Sequence, residues 1–330
     1  MGRYARTLVA GLQAVPDTPS LCVAQRDVGA FGEMRSAPFT PWGRGQVGRR
    51  ARAWSADIVH GLHVELPRSS VGRVVTVPDL IPLQYPASMP GRLRRRMYAR
   101  LVCGGTGRAD RVIVPSRLTA DALVAFGVPA GKVVVIPLAV DEAFQPACPV
   151  ERERARRRFA AGRRYVVAVA ADRPHKNLDV LRRAAATLTH GDRVEVVVRG
   201  RPRRTPHQDG LLYVGALSDL DLRLLYVGAE ALVAPSFLEG FGLPAVEAAA
   251  CGVPVVCGPS LGALPLLGDA AVVVDVAEVT SVVAGVRRLL ADDDERVGRG
   301  AAGRAAVEGL GAQAMARRTL SVYGDVLGGG

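Results

Sequence analysis

The sequence has few of the residues that staple small folds or hold metals. It contains five cysteines, an odd number, and none of them forms a Cys-x-x-Cys pair. Neither a disulfide framework nor a zinc knuckle is indicated, and we predict no metal site. Because disulfides are rare in reducing compartments, this cysteine usage favours a cytoplasmic protein.

Aromatic residues and lysines are also scarce. Aromatic side chains make up 5% of the chain, and only two of its 43 basic residues are lysines. The formal charge of +12 would suit an anionic partner, although the arginine excess also fits a simple compositional bias. With no recognisable reader motif and few rings for base stacking, we expect no nucleic acid partner, and keep a basic nucleic-acid-binding protein only as an alternative.

The sequence lacks a hydrophobic run suited to a membrane. The longest uncharged stretch, residues 248–268, contains three prolines and four glycines, which a lipid-exposed helix would not carry. At the start of the chain, a short apolar stretch is interrupted by Gln13, which favours an amphipathic helix over a secretory leader. No transmembrane segment is predicted.

The sequence is rich in short β-branched runs that alternate with helical patterns. With 330 residues and 49% hydrophobic content, the chain is long enough for two domains with proper cores. Strands are predicted at 21–24, 58–60, 73–77, 112–115, 133–137, 165–170, 194–198, 211–215, 231–234, 253–257 and 271–274. This alternation predicts an α/β fold of two Rossmann-like, doubly wound parallel-sheet domains that face a central cleft.

A polar break separates two series of strands. Over residues 141–164, the sequence FQPACP gives way to the charge-dense ERERARRRFAAGRR. This stretch is too polar for a core, so we place the domain boundary near residue 150. The predicted domains are residues 1–150 and residues 151–330, with the last helix packing back on the first domain.

Residues 231–252, ALVAPSFLEGFGLPAVEAAACG, form the most informative segment. A buried strand leads into a loop with two glycines, and Pro244 suits the first turn of a helix. The exposed N–H groups of such a helix end bind phosphate, and the glycines let a ligand approach the backbone. Glu239 in the loop and Glu247, placed in the first helical turn, can accept sugar or ribose hydroxyls. The alternative is a solvated Glu239 and a Glu247 that only complements the helix dipole.

Residues 166–188, VVAVAADRPHKNLDVLRRAAATL, form a second strand, loop and helix. The loop presents Arg173, His175 and Lys176, and Asn177 suits the N-cap of the following helix. Two cations at the end of a strand would hold a diphosphate, whereas the alternative is a solvated basic turn. His175 is interpreted as a neighbour that tunes the loop and not as a catalyst.

These segments, in this order, resemble the donor half of the retaining glycosyltransferases of family 4, which have the GT-B architecture. The resemblance rests on RPHKNL, LLYVGALSD, PSFLEGFGLPAVEAAACG and GALPLLGD. In the first half, GRYARTL, TVPDLIPLQYP, RADRVIVPSRLTADAL and VVVIPLAVD resemble the acceptor half of the same family. The resemblance implies metal-independent transfer of a hexose, such as a mannose-like sugar, from a nucleoside diphosphate to a hydroxyl acceptor with retention of configuration.

The resemblance also implies roles for individual residues. Glu239, Arg173 and Lys176 would be catalytic. The donor would contact Gly2, Arg173, Lys176, Val214, Glu239, Gly240, Phe241, Gly242, Leu243 and Glu247. Residues 212–215, with Leu222 and Tyr226 nearby, would approach the base of the donor. On the acceptor side the candidates are His60, His63 and Asp79, although a structural role is an alternative for each histidine. A glycosidase is disfavoured, because a hydrolase has no diphosphate to hold with cations.

Two departures from the family pattern keep a second function open. Pro78 stands where relatives commonly have histidine, and Gly2 opens the chain with no strand before it, which predicts either a late start or a missing central strand. The alternative function is therefore a catalytically impaired glycosyltransferase-fold protein that binds a nucleotide or a partner.

The segment GRLRRRMYARL places several arginines between Arg92 and Arg100 around Leu93 and Met97. One interpretation is a basic amphipathic helix that rests on an anionic membrane surface, which would make the protein peripheral at the inner membrane face. The alternative is a solvated helix in an arginine-rich protein.

Overall fold

The computed structural model describes residues 2–15, 21–24, 55–66, 70–200 and 210–328. The chain divides into two compact units, one of Met1–Ala139 together with Gly309–Gly330 and one of Val140–Glu308. Within the described ranges, every helix is too short or too polar to cross a membrane.

In the described part of the first unit, five strands form a parallel sheet in the order β1 to β5. The strands are β1 (Leu21–Ala24), β2 (Ile58–Gly61), β3 (Gly72–Thr76), β4 (Arg111–Val114) and β5 (Val133–Val135). Neighbouring residues Val74 and Val75 of β3 are both fully buried, as expected for a strand covered on both faces. β1 pairs directly with β2, with Leu21 opposite Ile58, so the described ladder is continuous between these two strands.

Among the described residues, four helices of the first unit precede the second unit. They are α1 (Gly2–Gln13), α2 (Ile81–Gln84), α3 (Arg92–Arg108) and α4 (Arg117–Ala125). Ser116 caps α4 by accepting a hydrogen bond from the Thr119 N–H at 3.2 Å. Apolar residues of α1, such as Leu8 and Leu12, are buried against the sheet residue Ile58.

The second unit is built on a parallel sheet of six strands in the order β11-β10-β9-β6-β7-β8. The strands are β6 (Arg164–Val169), β7 (Val194–Arg199), β8 (Leu212–Tyr213), β9 (Leu232–Ala234), β10 (Val255–Cys257) and β11 (Ala271–Val273). The chain lays β7 and β8 on one side of β6 and β9 to β11 on the other. The strand order therefore reverses between β6 and β9, which is where open α/β sheets bind ligands.

Helices cover both faces of this sheet. They are α5 (Pro149–Ala160), α6 (Leu178–Ala186), α7 (Asp219–Val227), α8 (Leu243–Ala250), α9 (Leu264–Leu267), α10 (Val279–Ala291) and α11 (Asp293–Val307). On one face, Leu181 of α6 and Val286 of α10 share a core with Val166 of β6. On the other, the Tyr165 hydroxyl donates to the Leu225 carbonyl in α7 at 2.6 Å.

The last helix, α12 (Ala312–Gly328), belongs to the first unit. Its Met315, Ala316 and Tyr323 are buried in one core with Leu8 of α1. A Cβ on Gly11 of α1 would overlap the Ala312 carbonyl, so glycine allows these two helices to approach closely.

The two units divide at Ala139 and Val140, ahead of the predicted boundary near residue 150. Residues before α5 pack on the second unit, because the Phe144 ring lies 5.9 Å from the Tyr226 ring. Arg223 of α7 also donates to the Gln145 carbonyl at 2.9 Å. The polar composition of residues 141–164 predicted the boundary, but Phe144 and Gln145 in this stretch contact α7 of the second unit.

The fold class is confirmed, with two parallel-sheet α/β units. Each of the eleven predicted strands has a counterpart within a few residues. β8 is the shortest, at two residues against a predicted five.

Candidate active site

Two loops at the reversal point of the second sheet carry most of the predicted donor residues. The loop after β6 holds Arg173 and Lys176, and the loop after β9 holds Glu239. Because β6 and β9 are hydrogen-bonded neighbours, the carboxyl ends of both strands meet at one edge of the sheet. The topology therefore brings together residues that are more than sixty positions apart.

The loop after β6 closes into a single 3-10 turn over Pro174–Lys176. Lys176 is largely buried, and Arg173 is exposed. Asn177 stands at the N-cap position of α6, but it adopts a left-handed φ of 50° and makes no side-chain cap. Its amide instead donates to the Val276 carbonyl at 2.6 Å, which ties this loop to the segment after β11. The prediction that Asn177 caps the helix is wrong for this reason.

The loop after β9 reaches α8 through a glycine with positive φ. Gly242 has φ of 94°, a conformation that side chains rarely tolerate, and a Cβ there would overlap the Leu261 side chain. α8 then begins at Leu243 with Pro244 in its first turn, as predicted. Gly240 and Phe241 are buried in the same loop. The helix thus presents its N-terminal N–H groups at the carboxyl edge of the sheet.

A third loop, after β10, fixes the position of Glu239. The Glu239 N–H donates to the Ser260 carbonyl at 3.0 Å, and the Gly262 N–H donates to the Glu239 carbonyl at 3.1 Å. These two bonds hold the backbone of Glu239 from both sides, so its carboxylate projects from a fixed point.

The two predicted donor loops contact each other directly. The Phe237 N–H donates to the His175 carbonyl at 2.9 Å, and the Lys176 ammonium binds Oε1 of Glu239. The Ser236 hydroxyl donates to the same oxygen at 2.8 Å. Lys176 and Glu239 are only 19% and 15% exposed, so their attraction is less screened than that of a surface pair.

Ser236 was not predicted as a site residue. It is buried, and it holds the carboxylate of a residue three positions further on. A serine three residues before an acidic residue in a loop is a recognisable local pattern, although the sequence does not show that the hydroxyl points to that carboxylate.

Glu247 lies deeper in the helix than the sequence indicated. Because α8 begins at Leu243, Glu247 falls in the second turn, so its predicted position in the first turn is wrong. It is 2% exposed, and Oε2 accepts a hydrogen bond from the Tyr226 hydroxyl at 2.9 Å. This buried contact fixes the carboxylate against α7. The alternative, in which Glu247 only complements the helix dipole, therefore does not describe this residue.

His175 is buried between the two cations of its loop. Burial, together with the positive charges of Lys176 and Arg173, lowers the pKa of His175, while Glu239 opposes the shift. The imidazole is therefore neutral at pH 7. This agrees with its interpretation as a residue that shapes the loop.

The residues predicted near the base lie at the edge of the same sheet. Val214 follows β8, and its N–H donates to the Val198 carbonyl of β7 at 3.0 Å. The next residue, Gly215, has φ of 66°, so the chain turns immediately after the strand. Leu222 and Tyr226 of α7 are buried.

The predicted acceptor-side residues lie in the first unit, where His60 is completely enclosed. Its Nδ1 is 2.7 Å from the Tyr323 hydroxyl and its Nε2 is 2.8 Å from the Thr76 hydroxyl. Both ring nitrogens are thus engaged, and burial lowers the pKa of His60 to about 3. This geometry favours the structural role and corrects the acceptor-side assignment of His60.

The other predicted site residues of the first unit are His63, Asp79 and Gly2. Burial lowers the pKa of His63, which is only half-buried. Asp79 follows Pro78 and accepts a hydrogen bond from the Ile81 N–H at 3.0 Å, so its carboxylate supports the start of α2. Gly2 begins α1.

Metal ligands are not grouped in the described part of the chain. Among those residues, no set of three or more histidine, cysteine, aspartate or glutamate side chains is placed to hold an ion.

Comparison with known proteins places the chain in a family. The sequence model described as "Glycosyl transferases group 1" matches residues 149–306, and the one described as "Glycosyltransferase Family 4" matches residues 1–144. Together these matches span nearly the whole chain. The chain belongs to the family 4 glycosyltransferases. Members of this family are enzymes that transfer sugars.

Two curated relatives of this family 4 glycosyltransferase are named as mannosyltransferases. It is 27% identical to O-antigen chain mannosyltransferase B of Escherichia coli, over 83% of this chain and 77% of that protein. It is 35% identical to the MMP alpha-(1->4)-mannosyltransferase of Mycolicibacterium hassiacum, over 65% of this chain and 53% of that protein. The second match thus spans about half the length of the relative.

Solved structures share the fold of this glycosyltransferase at low sequence identity. Sucrose-phosphate synthase from Thermosynechococcus elongatus has a TM-score of 0.79 at 20% identity, with 99% of this chain and 94% of that chain covered. HepE from Anabaena, solved in complex with UDP, has a TM-score of 0.71 at 16% identity, with 86% and 82% covered. These likenesses establish the GT-B class of fold.

Proposed function

We propose that this family 4 glycosyltransferase moves a hexose, with mannose as the first candidate, from a nucleoside diphosphate to an acceptor hydroxyl. The direct contact between the loop of Lys176 and the loop of Glu239 is the observation that carries this proposal. It places a cation, a carboxylate and the N-terminus of α8 at one edge of one sheet. The choice of mannose is supported by the names of the two curated relatives.

Charge stabilisation of the leaving group is the catalytic contribution we assign to this edge. As the bond between sugar and diphosphate breaks, negative charge grows on the diphosphate. Arg173, Lys176 and the N–H groups from Gly242 and Leu243 would stabilise that charge, a contribution of roughly 3 to 4 kcal/mol for a well-placed donor. Because these groups supply the neutralising charge, we propose that the reaction needs no metal cofactor.

The two glutamates would recognise hydroxyls. Lys176 and Ser236 both bind Oε1 of Glu239, so the carboxylate is held at one oxygen while the other can accept from a sugar hydroxyl. Glu247, fixed by Tyr226, would accept from the ribose. Retention of configuration at the anomeric carbon is proposed from the family resemblance.

Release of nucleoside diphosphate from a panel of nucleotide sugars and acceptors tests the proposal. The chain offers a matched control, since its only two lysines are Lys176 and Lys132. Lys132 lies in the first unit, where its ammonium donates to the Ala109 carbonyl at 3.0 Å. We expect Lys176→Met to lose a hundredfold or more in turnover, as removal of one preorganised donor typically does, and Lys132→Met to retain it. Glu239→Gln, which replaces the charged acceptor of a sugar hydroxyl with a neutral amide, should also lose turnover.

Other outcomes of this assay separate the remaining possibilities. Tight nucleotide binding without turnover across the panel would support the alternative of a binding protein that is catalytically impaired at Pro78. Turnover that persists after chelation of divalent cations is expected, and its loss would overturn the metal-free proposal. The anomeric proton of the product, observed by NMR, reports retention or inversion.

We also propose that one face of α3 rests on an anionic membrane surface at the cytoplasmic side. Leu93 and Met97 are 69% and 54% exposed and stand one helical turn apart, with exposed arginines at 92, 94, 96 and 100 around them. Cosedimentation with phosphatidylglycerol vesicles should fall for the double variant Leu93→Glu, Met97→Glu. The exposed Val297→Glu variant, in the second unit, serves as control. Equal binding by all three proteins would contradict the membrane proposal.

A further inference from the structure

Arg182 of α6 links the loop after β6 to the end of β8 in the second sheet. One terminal nitrogen, Nη2, donates to Oδ2 of Asp172 at 2.6 Å and to the Tyr213 hydroxyl at 3.2 Å. The other, Nη1, donates to Oδ1 of Asp179 at 2.6 Å. A planar guanidinium with several fixed donors can make all three contacts at once, whereas a lysine ammonium offers no such fork.

The contact partners of Arg182 stand at informative places. Asp172 lies in the loop after β6, immediately before Arg173 and four residues before Lys176. Tyr213 is the last residue of β8, immediately before Val214. β7 lies between β6 and β8 in the sheet, so the guanidinium reaches over the end of an intervening strand.

The backbone at the ends of β6, β7 and β8 is also closely packed. A Cβ on Gly200, which follows β7, would overlap the Ala170 carbonyl at the end of β6. The Val214 N–H in turn donates to the Val198 carbonyl of β7. The carboxyl ends of β6, β7 and β8 are therefore in direct contact. Arg182, on α6, adds side-chain hydrogen bonds to the loop after β6 and to the end of β8.

The two aspartates that pair with Arg182 differ in solvent exposure. The Asp172 side chain is 10% exposed and Arg182 is 22% exposed, so their ion pair is shielded from solvent. Asp179 is 84% exposed, and exposed pairs of this kind contribute little. The contacts to Asp172 and Tyr213 therefore determine where the guanidinium lies.

We propose that Arg182 is a positioning residue that sets the spacing between the two ends of the bound donor. The inference rests on the proposed function, in which Arg173 and Lys176 hold the diphosphate, and on the approach of the chain at Val214 to the base that the family resemblance implies. A ligand held at both ends binds more tightly when the two contact regions are preorganised at the correct separation. Arg182 supplies that preorganisation without touching the donor.

Isothermal titration of nucleoside diphosphate into wild type and Arg182→Met tests this inference. We expect the Kd to rise about tenfold in Arg182→Met, a change equivalent to about 1.4 kcal/mol. Inorganic pyrophosphate and the free nucleoside, used as competitors, each occupy one end of the site. Their inhibition constants should stay within about twofold, because neither fragment depends on the spacing. In the transfer assay, the donor KM should rise more than kcat falls.

Two further variants keep the test decisive. Asp179→Asn removes only the exposed contact, and it should bind nucleoside diphosphate as wild type does. Tyr213→Phe removes one hydroxyl and leaves the ion pair with Asp172 intact, so it tests the coupling even where Arg182→Met folds poorly. We expect its Kd for nucleoside diphosphate to rise by about threefold to fivefold, the scale of one hydrogen bond.

The possible failures can be told apart. If Arg182→Met and Tyr213→Phe both bind nucleoside diphosphate as wild type does, the positioning role is overturned while the proposed function stands. If Arg182→Met weakens the binding of nucleoside diphosphate, pyrophosphate and free nucleoside equally, the positioning role is also overturned, because that pattern indicates general distortion of the site. If wild type neither binds a nucleoside diphosphate nor transfers a sugar, the proposed function itself fails.

Discussion

Lowering the pH from 7 to 5 should destabilise the first unit through His60. This residue of β2 is fully buried, and both its ring nitrogens are hydrogen-bonded to hydroxyls, those of Tyr323 and Thr76. Thr76 is also 2.9 Å from the Tyr4 hydroxyl. Burial raises the pKa of Tyr4 to about 12 and that of Tyr323 well above its usual value, so neither phenol carries charge in this pH range. His60 is thus the group in this network that titrates.

The sign and size of the effect follow from the two pKa values of His60. Burial lowers the pKa in the folded protein to about 3, against 6.5 for the ordinary side chain. Between these values the unfolded chain binds a proton that the folded chain does not, so the free energy of unfolding falls as the pH falls. The slope is about 1.4 kcal/mol per pH unit below 6.5, which gives a loss of about 2 kcal/mol at pH 5. Above pH 6.5 this contribution to stability is fully present.

Urea denaturation at pH 7, 6 and 5 measures this loss. Far-UV circular dichroism follows unfolding during the urea titration. The matched control is His60→Gln, in which an amide can both donate and accept but cannot titrate. Contributions from His63 and the carboxylates are common to both proteins and cancel in the difference. We expect the wild type to lose about 2 kcal/mol more than the variant between pH 7 and 5. Parallel losses would refute the reasoning, because His60 would then exchange protons as readily in the folded protein as in the unfolded chain.

Two further predictions concern the second unit, and circular dichroism during urea denaturation checks both. In α11, a Cβ on Gly300 would overlap the Gly252 carbonyl, whereas one on Gly298 would meet nothing within 4 Å. Gly300→Ala should therefore destabilise by about 1 to 3 kcal/mol and Gly298→Ala should stabilise by up to about 1 kcal/mol, and equal effects would contradict the packing argument. The buried Glu230 pairs with three arginines at 2.7, 3.1 and 3.2 Å, so Glu230→Gln should cost about 3 kcal/mol. The control Glu153→Gln breaks an exposed pair and should cost less than about 1 kcal/mol, so a similar loss in both variants would exclude a special role for burial.

The strands and the site loops could be predicted because their signals are local. A β-branched run between turn residues needs no distant partner to be identified, and all eleven such runs became strands. Gly242 and Pro244 mark the start of α8 by their own backbone preferences. Parallel strands present their carboxyl ends at one edge of a sheet, and the neighbouring strands β6 and β9 in this way bring together the loop of Lys176 and the loop of Glu239.

Two of the predictions that failed depended on partners far away in the sequence. Asn177 has the composition of an N-cap, but the Val276 carbonyl, 99 residues further on, takes its amide. His60 follows the pattern of a strand-end residue that lines a cleft, but Tyr323 and Thr76 enclose it. In each case a long-range hydrogen bond satisfies a buried polar group and overrides the local preference.

The amino-acid sequence alone determined the α/β class, the positions of the strands along the chain and the types of side chain in the donor loops. It could do so because periodicity, turn residues and charge are properties of short segments. Only the tertiary structure decided how those groups are paired. It placed Lys176 and Ser236 on one oxygen of Glu239, turned Tyr226 onto Glu247, and set Arg182 across the ends of β6 and β8. Such pairings depend on which buried polar atoms lie within hydrogen-bonding distance after the sheets have formed, and sequence separation carries no information about that distance.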